Sequence, residues 1–175
     1  MSKKQNILIT GGSGYIGSCL SIYLKKKYKI TNLDKKKNKF VKINICDLLN
    51  VKKLNSILKK KKPKLIIHLA AQSLVDETIN KEKYYQNNVM ATKNLIIAMK
   101  NNNLKNLIFS STAAVYKYSG KILNEKSLIK PKSSYAKTKL QCEKIIRNSK
   151  INSIILRFFN VCSSLKINNK IIGEF

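Results

Sequence analysis

The 175-residue sequence has few acidic residues, almost no arginine and no tryptophan. It contains 8 Asp and Glu against 36 Lys and Arg, a net charge of +28, and only Arg147 and Arg157 are arginine. Arginine makes the bidentate contacts that read bases and phosphates, so its scarcity argues against a sequence-specific nucleic-acid binder. Because 34 lysines occur with 20 asparagines and 24 isoleucines, we interpret the charge as the bias of an AT-rich genome rather than as a polyanion-binding surface.

Long apolar runs, paired cysteine motifs and histidines are also scarce. No apolar run approaches membrane-spanning length and no signal-peptide core is found, so we expect a cytoplasmic protein with no membrane partner. The four cysteines form no C-x-x-C pair and His68 is the only histidine, so no metal site is predicted. We interpret Cys19 and Cys142 as buried thiols and His68 as a structural residue. The length and the 43% hydrophobic content predict a single domain, residues 1–175.

Four of the six glycines lie between residues 11 and 17. They follow an apolar run, Asn6 to Thr10, and precede an amphipathic stretch, a pattern typical of strand, tight turn and helix. In a dinucleotide-binding turn, one glycine makes the bend, one lets backbone N–H groups approach a pyrophosphate, and one lets helix and strand pack closely. The helix N-terminus then offers its amides and dipole to the phosphates. Gly12, Gly14 and Gly17 fit the G-x-G-x-x-G motif, and Gly11, Gly14 and Gly17 equally fit the variant with wider spacing. The sequence therefore predicts a phosphate site at this turn.

Strand-like and helix-like stretches alternate along the rest of the chain. This alternation predicts an α/β fold, a doubly wound parallel sheet of about six strands that is Rossmann-like. Pro63 ends one predicted helix, and the apolar run after it is typical of a buried parallel strand. The predicted strands are 6–10, 28–34, 40–45, 64–71, 107–112 and 153–159, and the predicted helices are 15–23, 51–61, 82–101 and 133–147.

Two acidic residues follow predicted strands. Asp34 lies 23 residues after Gly11, near the spacing at which a carboxylate accepts hydrogen bonds from both adenosine ribose hydroxyls. A carboxylate there repels a 2′-phosphate, which predicts NAD rather than NADP. The alternative is that Asp34 only ends a strand. Asp47 follows the third strand, where it could accept from the adenine amino group, cap the helix that begins at Val51, or do both.

Tyr135 and Lys139 are four residues apart on a predicted helix and therefore share a face. An ammonium group beside a phenol favours the phenolate and can lower the tyrosine pKa. Thr112 lies at the C-terminal end of the fifth predicted strand, at the edge of the sheet where ligands of doubly wound folds bind. The three side chains could form a proton relay to a substrate alcohol. We predict them as catalytic residues.

The glycine turn, Asp34, Thr112 and the Tyr135–Lys139 pair follow one another along the chain in an order that resembles the extended short-chain dehydrogenase/reductases, the NAD-dependent epimerase/dehydratase family. More narrowly, the chain resembles the UDP-glucose 4-epimerases, because Ala113 and Ala114 stand where dehydratases of the superfamily usually carry an Asp-Glu pair. A late segment, Ile172-Gly-Glu174, is also similar to an epimerase segment. The motifs are Thr10-Gly-Gly-Ser-Gly-Tyr-Ile-Gly-Ser18, Asn32-Leu-Asp34, His68-Leu-Ala-Ala71, Tyr84-Tyr-Gln-Asn-Asn-Val89, Phe109-Ser-Ser-Thr-Ala-Ala-Val-Tyr116, Tyr135-Ala-Lys-Thr-Lys139 and Arg157-Phe-Phe-Asn160.

The resemblance implies a role for each matched residue. Tyr135 is the base for the sugar 4-hydroxyl, Lys139 binds the nicotinamide ribose and lowers the Tyr135 pKa, and Thr112 assists the proton transfer. Asn88 supports hydrogen bonds on the cofactor side, and Asn160 contacts the diphosphate of a nucleotide-sugar substrate, which Thr112 and Tyr135 also bind. The NAD-binding set implied is Gly11, Gly14, Tyr15, Ile16, Gly17, Asp34, Asp47, Leu48, Leu69, Ala70, Ala71, Asn88, Ser110, Tyr135, Lys139 and Phe158.

The sequence also departs from the family pattern. After Asn160 it continues Val161-Cys-Ser-Ser164, without the family's usual glycine-containing turn, and the segment between Asp34 and Phe40 is short. Relatives continue beyond the position of Phe175 into a substrate domain, so we expect this chain to hold mainly the cofactor half of the site. Three functions stay open: a nucleotide-sugar 4-epimerase, another NAD-dependent epimerase or dehydratase, or an inactive NAD-binding remnant. By analogy, a homodimer would form through the helices at 82–101 and 133–147.

Overall fold

The structure is a computed structural model that describes residues 4–73, 80–118, 120 and 122–162. The described residues form six strands and five α-helices. The strands are β1 (Asn6–Thr10), β2 (Lys29–Asp34), β3 (Ile43–Ile45), β4 (Leu65–His68), β5 (Asn106–Thr112) and β6 (Asn152–Phe158). The helices are α1 (Tyr15–Leu24), α2 (Val51–Lys61), α3 (Lys81–Tyr84), α4 (Ala91–Asn101) and α5 (Ser134–Asn148). The epimerase-like segment Ile172 to Glu174 lies outside the described residues.

The strands form one parallel sheet in the order β3-β2-β1-β4-β5-β6. The chain turns outward from β1 to β2 and β3, then returns to β4 and continues to the other edge. The order therefore reverses between β1 and β4, and doubly wound sheets bind ligands in the crevice at such a switch point. The predicted Rossmann-like fold is confirmed.

Helices cover both faces of the sheet because its central strands are apolar on both sides. On one face, Ile7, Ile9 and Ile67 pack with residues of α1. On the other face a larger core joins strand residues such as Leu8 and Phe109 to α2, α4 and α5. The central strands are therefore buried on both faces, whereas β6 at the edge of the sheet is largely exposed. The carboxyl ends of the strands carry the predicted site.

Three elements differ from prediction by three residues or more. The fourth strand, predicted at 64–71, ends at His68. The third strand begins at Ile43 rather than at residue 40, because the Phe40 amide donates to the Asn38 side chain (2.6 Å) instead of to a neighbouring strand. The helix predicted at 82–101 is interrupted: Tyr85–Met90 forms a π-helical turn between α3 and α4. Such turns are rare and occur often at functional sites. This one places Asn88 in the interior.

Candidate cofactor and catalytic site

A cleft of about 770 Å³ lies at the carboxyl ends of the strands. Its lining comes from the glycine turn, the ends of β2, β4 and β5, the first turns of α5 and the chain after β6. Most of the predicted site residues share it. The predicted residues in the lining are Gly11, Gly14, Tyr15, Ile16, Gly17, Asp34, Leu48, Leu69, Ala70, Ala71, Ser110, Thr112, Tyr135, Lys139, Phe158 and Asn160.

The glycines of the turn differ in how closely neighbouring atoms approach the position of a Cβ. A Cβ at Gly17 would lie 2.2 Å from the Gly11 carbonyl oxygen, and a Cβ at Gly11, whose φ is +72°, would lie 2.7 Å from the Ala70 nitrogen. Both positions are required by the fold itself. A Cβ at Gly14 meets only the Gly11 oxygen, at 3.3 Å, a tight contact that a shift of a few tenths of an ångström relieves. The fold therefore constrains Gly14 less than it constrains Gly11 or Gly17.

Helix α1 points its N-terminus into the cleft. Gly14 is its N-cap, no side chain caps the helix and no acidic residue lies in its first turn. Without these, the dipole of the helix and its first amides are directed at the cleft, an arrangement that binds anions. The Ser18 hydroxyl donates to the Gly12 carbonyl oxygen (3.1 Å) and so ties the helix to the turn. The geometry suits a pyrophosphate.

Asp34 lies at the end of β2, beside the glycine turn. One carboxylate oxygen accepts from the Ser13 amide at 3.0 Å and the other from the Lys36 amide at 3.3 Å. The carboxylate thus connects the end of β2 with the glycine turn, at the position where the sequence places the ribose contact. Lys35 and Lys36 line the same part of the cleft.

Asp47 does not belong to the described lining of the cleft. Its carboxylate pairs with the Lys35 ammonium at 3.1 Å and accepts from the Leu49 amide at 2.8 Å. Helix α2 is capped instead by Asn50, whose side chain accepts from the Lys53 amide at 3.0 Å. Capping by Asp47 is therefore wrong, and its contact with adenine stays a prediction.

Asn88 is buried behind the cleft rather than exposed in it. Its side-chain oxygen accepts from the Gln72 amide (2.7 Å), and its Nδ2 donates to the Thr138 hydroxyl (2.9 Å). Gln72 lines the cleft, and so does Asn87, the residue that precedes Asn88 in the motif. Asn88 therefore acts on the site by fixing Gln72 and helix α5. Its support of hydrogen bonds on the cofactor side stays a prediction.

Tyr135, Lys139 and Thr112 meet at the opposite end of the cleft from Asp34. Burial raises the pKa of the Tyr135 phenol, while the Thr112 hydroxyl, its hydrogen-bond partner, lowers it. The Lys139 ammonium lies over the Phe109 ring, 4.2 Å from its centroid, and burial lowers the Lys139 pKa to about 8. The expected net lowering of the Tyr135 pKa by Lys139 is not found, because burial is the largest effect on that pKa and raises it.

His68 has the structural role that the sequence suggests. Its ring is buried, with Nδ1 2.6 Å from the Thr10 hydroxyl and Nε2 3.0 Å from the Thr92 hydroxyl. Burial, with a contribution from Lys139, lowers its pKa to about 3. The ring is neutral at physiological pH and joins β1, β4 and α4 beneath the cleft.

Known proteins match this chain over most of its length. The model of the NAD dependent epimerase/dehydratase family matches residues 7–175. This chain belongs to that family. Among curated relatives, a dTDP-D-glucose 4,6-dehydratase from Dictyostelium discoideum is 36% identical over 208 residues, 98% of this chain and 47% of the relative. A UDP-glucose 4-epimerase from Mycoplasma genitalium is 34% identical over 184 residues, 93% of this chain and 54% of the relative.

Solved structures of family members agree with the fold. The UDP-glucose 4-epimerase from Brucella ovis, in complex with NAD, has a TM-score of 0.83 and 29% identity, over 89% of this chain and 52% of that one. The UDP-Glc/GlcNAc 4-epimerase from Campylobacter jejuni has a TM-score of 0.80 and 32% identity, over 91% and 56%. The chain thus spans about half the length of the relatives it matches. None of the helices in its described part is long and apolar enough to cross a membrane.

The residues of this epimerase/dehydratase chain fit NAD. The turn keeps a side chain out of the cleft at Gly14, the uncapped N-terminus of α1 faces it, and Asp34 and Tyr135 lie at its two ends. Within residues 4–73, 80–118, 120 and 122–162, no group of three or more His, Cys, Asp or Glu could hold a metal ion.

Several residues that line the cleft were not predicted from the sequence. Most adjoin residues that it found, and three are lysines, which carry little signal in so lysine-rich a chain. The signal that could have found them is adjacency to the C-terminal ends of strands. The missed residues are Thr10, Ser13, Leu33, Lys35, Lys36, Cys46, Gln72, Ser73, Lys83, Asn87, Ala91, Ser111, Phe159 and Val161.

Lys139 is expected to destabilise the fold while it is charged. Its pKa is lowered from 10.5 to about 8, so the cost of burying the ammonium is complete below pH 8 and disappears as the pH rises to 10.5. We expect Lys139→Met to raise the free energy of unfolding at pH 7 by about 1 to 3 kcal/mol, because a shift of one unit corresponds to about 1.4 kcal/mol. Urea unfolding between pH 7 and 10.5 measures it.

The matched control is Lys137→Met, on the exposed side of the same helix. Its stability relative to the unmodified chain is expected to be nearly independent of pH. The interpretation of Lys139 is wrong if its replacement leaves stability unchanged at pH 7, or if the gain grows as the pH rises.

Proposed function

We propose that this chain provides the NAD site and the proton-transfer residues of a nucleotide-sugar 4-epimerase that interconverts UDP-glucose and UDP-galactose. The observation that carries the proposal is the convergence of Thr112, Tyr135 and Lys139 in one cleft with the glycine turn. The names of relatives and structural neighbours support the same substrate class. Asn160, in the lining after β6, is proposed to contact the diphosphate of the substrate.

The reaction needs a base at the sugar 4-hydroxyl and a hydride acceptor. NAD, when bound, supplies a reversible hydride acceptor at C4 of the sugar, so it is not consumed. Tyr135 takes the hydroxyl proton, Thr112 passes protons between sugar and phenol, and Lys139, one helical turn away, would hold the nicotinamide ribose. The resulting 4-keto sugar turns over and is reduced on its other face, when Tyr135 returns the proton.

NAD is proposed in preference to NADP. Asp34 lines the cleft at the end of β2, where its carboxylate accepts from the Ser13 and Lys36 amides. A carboxylate at this position of a dinucleotide-binding fold repels a 2′-phosphate.

A dehydratase is the second candidate, since one of the relatives is a dTDP-D-glucose 4,6-dehydratase at 36% identity. Against it, the 3₁₀ turn after β5, Ala113–Val115, carries alanines where the resemblance expects an Asp-Glu pair. Alanine provides no acid or base for removal of the 6-hydroxyl. The epimerase is therefore favoured.

The deciding experiment incubates the purified chain with UDP-galactose, with and without NAD, and measures UDP-glucose by chromatography. We expect product that depends on NAD, and parallel arms with UDP-N-acetylglucosamine and dTDP-glucose test the other substrates. NADH binding is measured on the same preparation by fluorescence. Binding without any product favours an NAD-binding chain without turnover, and product only from dTDP-glucose favours the dehydratase.

Assembly is proposed by analogy alone. Helices α3 and α4 with the turn between them, and helix α5, correspond to the predicted dimer surface. Sedimentation equilibrium measures the mass in solution, and a monomer at all concentrations contradicts the proposal.

A further inference from the structure

A third residue shares the face of α5 that carries the catalytic pair. Tyr135, Lys139 and Glu143 follow each other at intervals of four residues and so align along the helix. The first two line the cleft. Glu143 lies one turn further from it and is only 1% exposed. A buried carboxylate needs partners that offset its desolvation.

Glu143 has such partners on two strands. The Ser111 hydroxyl donates to Oε1 at 2.5 Å, and Arg157 donates from Nε to Oε1 at 3.0 Å and from Nη2 to Oε2 at 2.7 Å. Burial opposes ionisation, but the hydrogen bonds from Arg157 and Ser111 outweigh it and hold the Glu143 pKa below its usual value. The carboxylate therefore binds α5 to β5 and β6 at once.

The Glu143 contacts lie near the C-terminal ends of β5 and β6, next to the cleft. Ser111 and Arg157 are register partners on β5 and β6, and the next pair is Thr112 with Phe158, both in the cleft lining. The clamp formed by Glu143, Ser111 and Arg157 thus holds β5 and β6 at the level of Ser111, which itself lines the cleft. A shift of α5 against β5 at this level would change the spacing between Tyr135 and Thr112.

Arg157 extends the clamp to the chain after Thr112. Its guanidinium lies over the Tyr116 ring, 4.8 Å from the centroid, and Tyr116 directly follows the 3₁₀ turn at Ala113–Val115. Arg157 is therefore in contact with the residue that ends the turn after Thr112. Ion pairs with this geometry restrain orientation more than they add stability.

We propose that Glu143 is a positioning residue that, through Ser111 and Arg157, sets Tyr135 and Lys139 on α5 against Thr112 on β5. The inference rests on the proposed function, in which this end of the cleft receives the nicotinamide ribose. It predicts that loss of the carboxylate disturbs one end of the site and not the other. The adenosine end, at Asp34 and the glycine turn, has no contact with the clamp.

The test compares two ligands of different length. NADH reaches Lys139 and Tyr135, whereas ADP fills only the adenosine and pyrophosphate part. In Glu143→Gln, which keeps size and shape, we expect NADH affinity to fall about tenfold and ADP affinity to change less than about twofold. Glu143→Asp, which keeps the charge, is expected to restore part of the NADH affinity. The control is Arg147→Gln, an exposed residue 3.9 Å from Glu143, with both affinities unchanged.

The outcomes separate the two proposals. The positioning role is overturned if Glu143→Gln weakens both ligands equally, which is a general structural effect, or if it weakens neither. Thermal unfolding checks that each variant is folded. If the unmodified chain binds NADH no better than ADP, the NAD assignment itself fails, and this is seen before any variant is made.

Discussion

Gly14→Val is expected to abolish NAD binding while leaving the fold intact. The backbone at Gly14, with φ −73° and ψ 171°, suits any residue, and an added Cβ meets only the Gly11 oxygen at 3.3 Å. The valine methyl groups instead occupy the cleft in front of the N-terminus of α1. We expect at least about a 100-fold loss of NADH affinity, because two hydrogen bonds to a charged group contribute about 3 kcal/mol. Fluorescence titration and thermal unfolding measure the two effects.

Two glycines provide the controls. Gly17→Ala places a Cβ 2.2 Å from one backbone atom and 2.9 Å from another, so it is expected to unfold the chain, at a cost above about 4 kcal/mol. Gly120→Ala, at φ +65° but with nothing within 4 Å of the added Cβ, is expected to cost about 1 to 2 kcal/mol of stability and to keep full NADH affinity. A Gly14→Val chain that binds NADH like the unmodified one contradicts the pyrophosphate assignment.

Tyr135→Phe is expected to lower the rate of UDP-galactose conversion by about 100- to 10,000-fold, the range typical of general acid–base groups. In the proposed reaction the phenol exchanges protons with Thr112 and the substrate, and phenylalanine has no hydroxyl group to carry a proton. Its ring still fills the cleft, so NADH affinity should change less than about threefold. Initial rates and fluorescence titration on the same preparation measure both.

The control for this variant is Tyr118→Phe, since Tyr118 is 86% exposed. It should match the unmodified chain in rate and in affinity. Conversion that continues in Tyr135→Phe at a tenth or more of the original rate shows that another group carries the proton.

The choice between epimerase and NAD-binding chain without turnover depends on how much substrate contact the described half provides. Phe158, Phe159, Asn160 and Val161 lie at the cleft after β6, and relatives are about twice as long as this chain. The product assay and the Tyr135 variant therefore address different questions. Binding of NADH tests the cofactor half, and turnover tests whether substrate is held.

Local patterns were sufficient for most of the fold. Glycine spacing and the change from strand to helix periodicity predicted the strand, turn and helix at the N-terminus, and α2 was predicted to the residue. These features depend on neighbours in sequence, whose conformational preferences act within a few residues. Thr112, Tyr135 and Lys139 could also be named, because the ends of parallel strands meet at one edge of the sheet.

Only the tertiary structure decided how these groups are supported. Glu143 is 32 residues from Ser111 and 14 from Arg157, and no local pattern links them. The π-helical turn, the burial of Asn88 and the pKa directions of Tyr135 and Lys139 likewise depend on what packs around them. Periodicity shows which face of an element is buried, but desolvation and hydrogen bonding are set by residues that folding brings together.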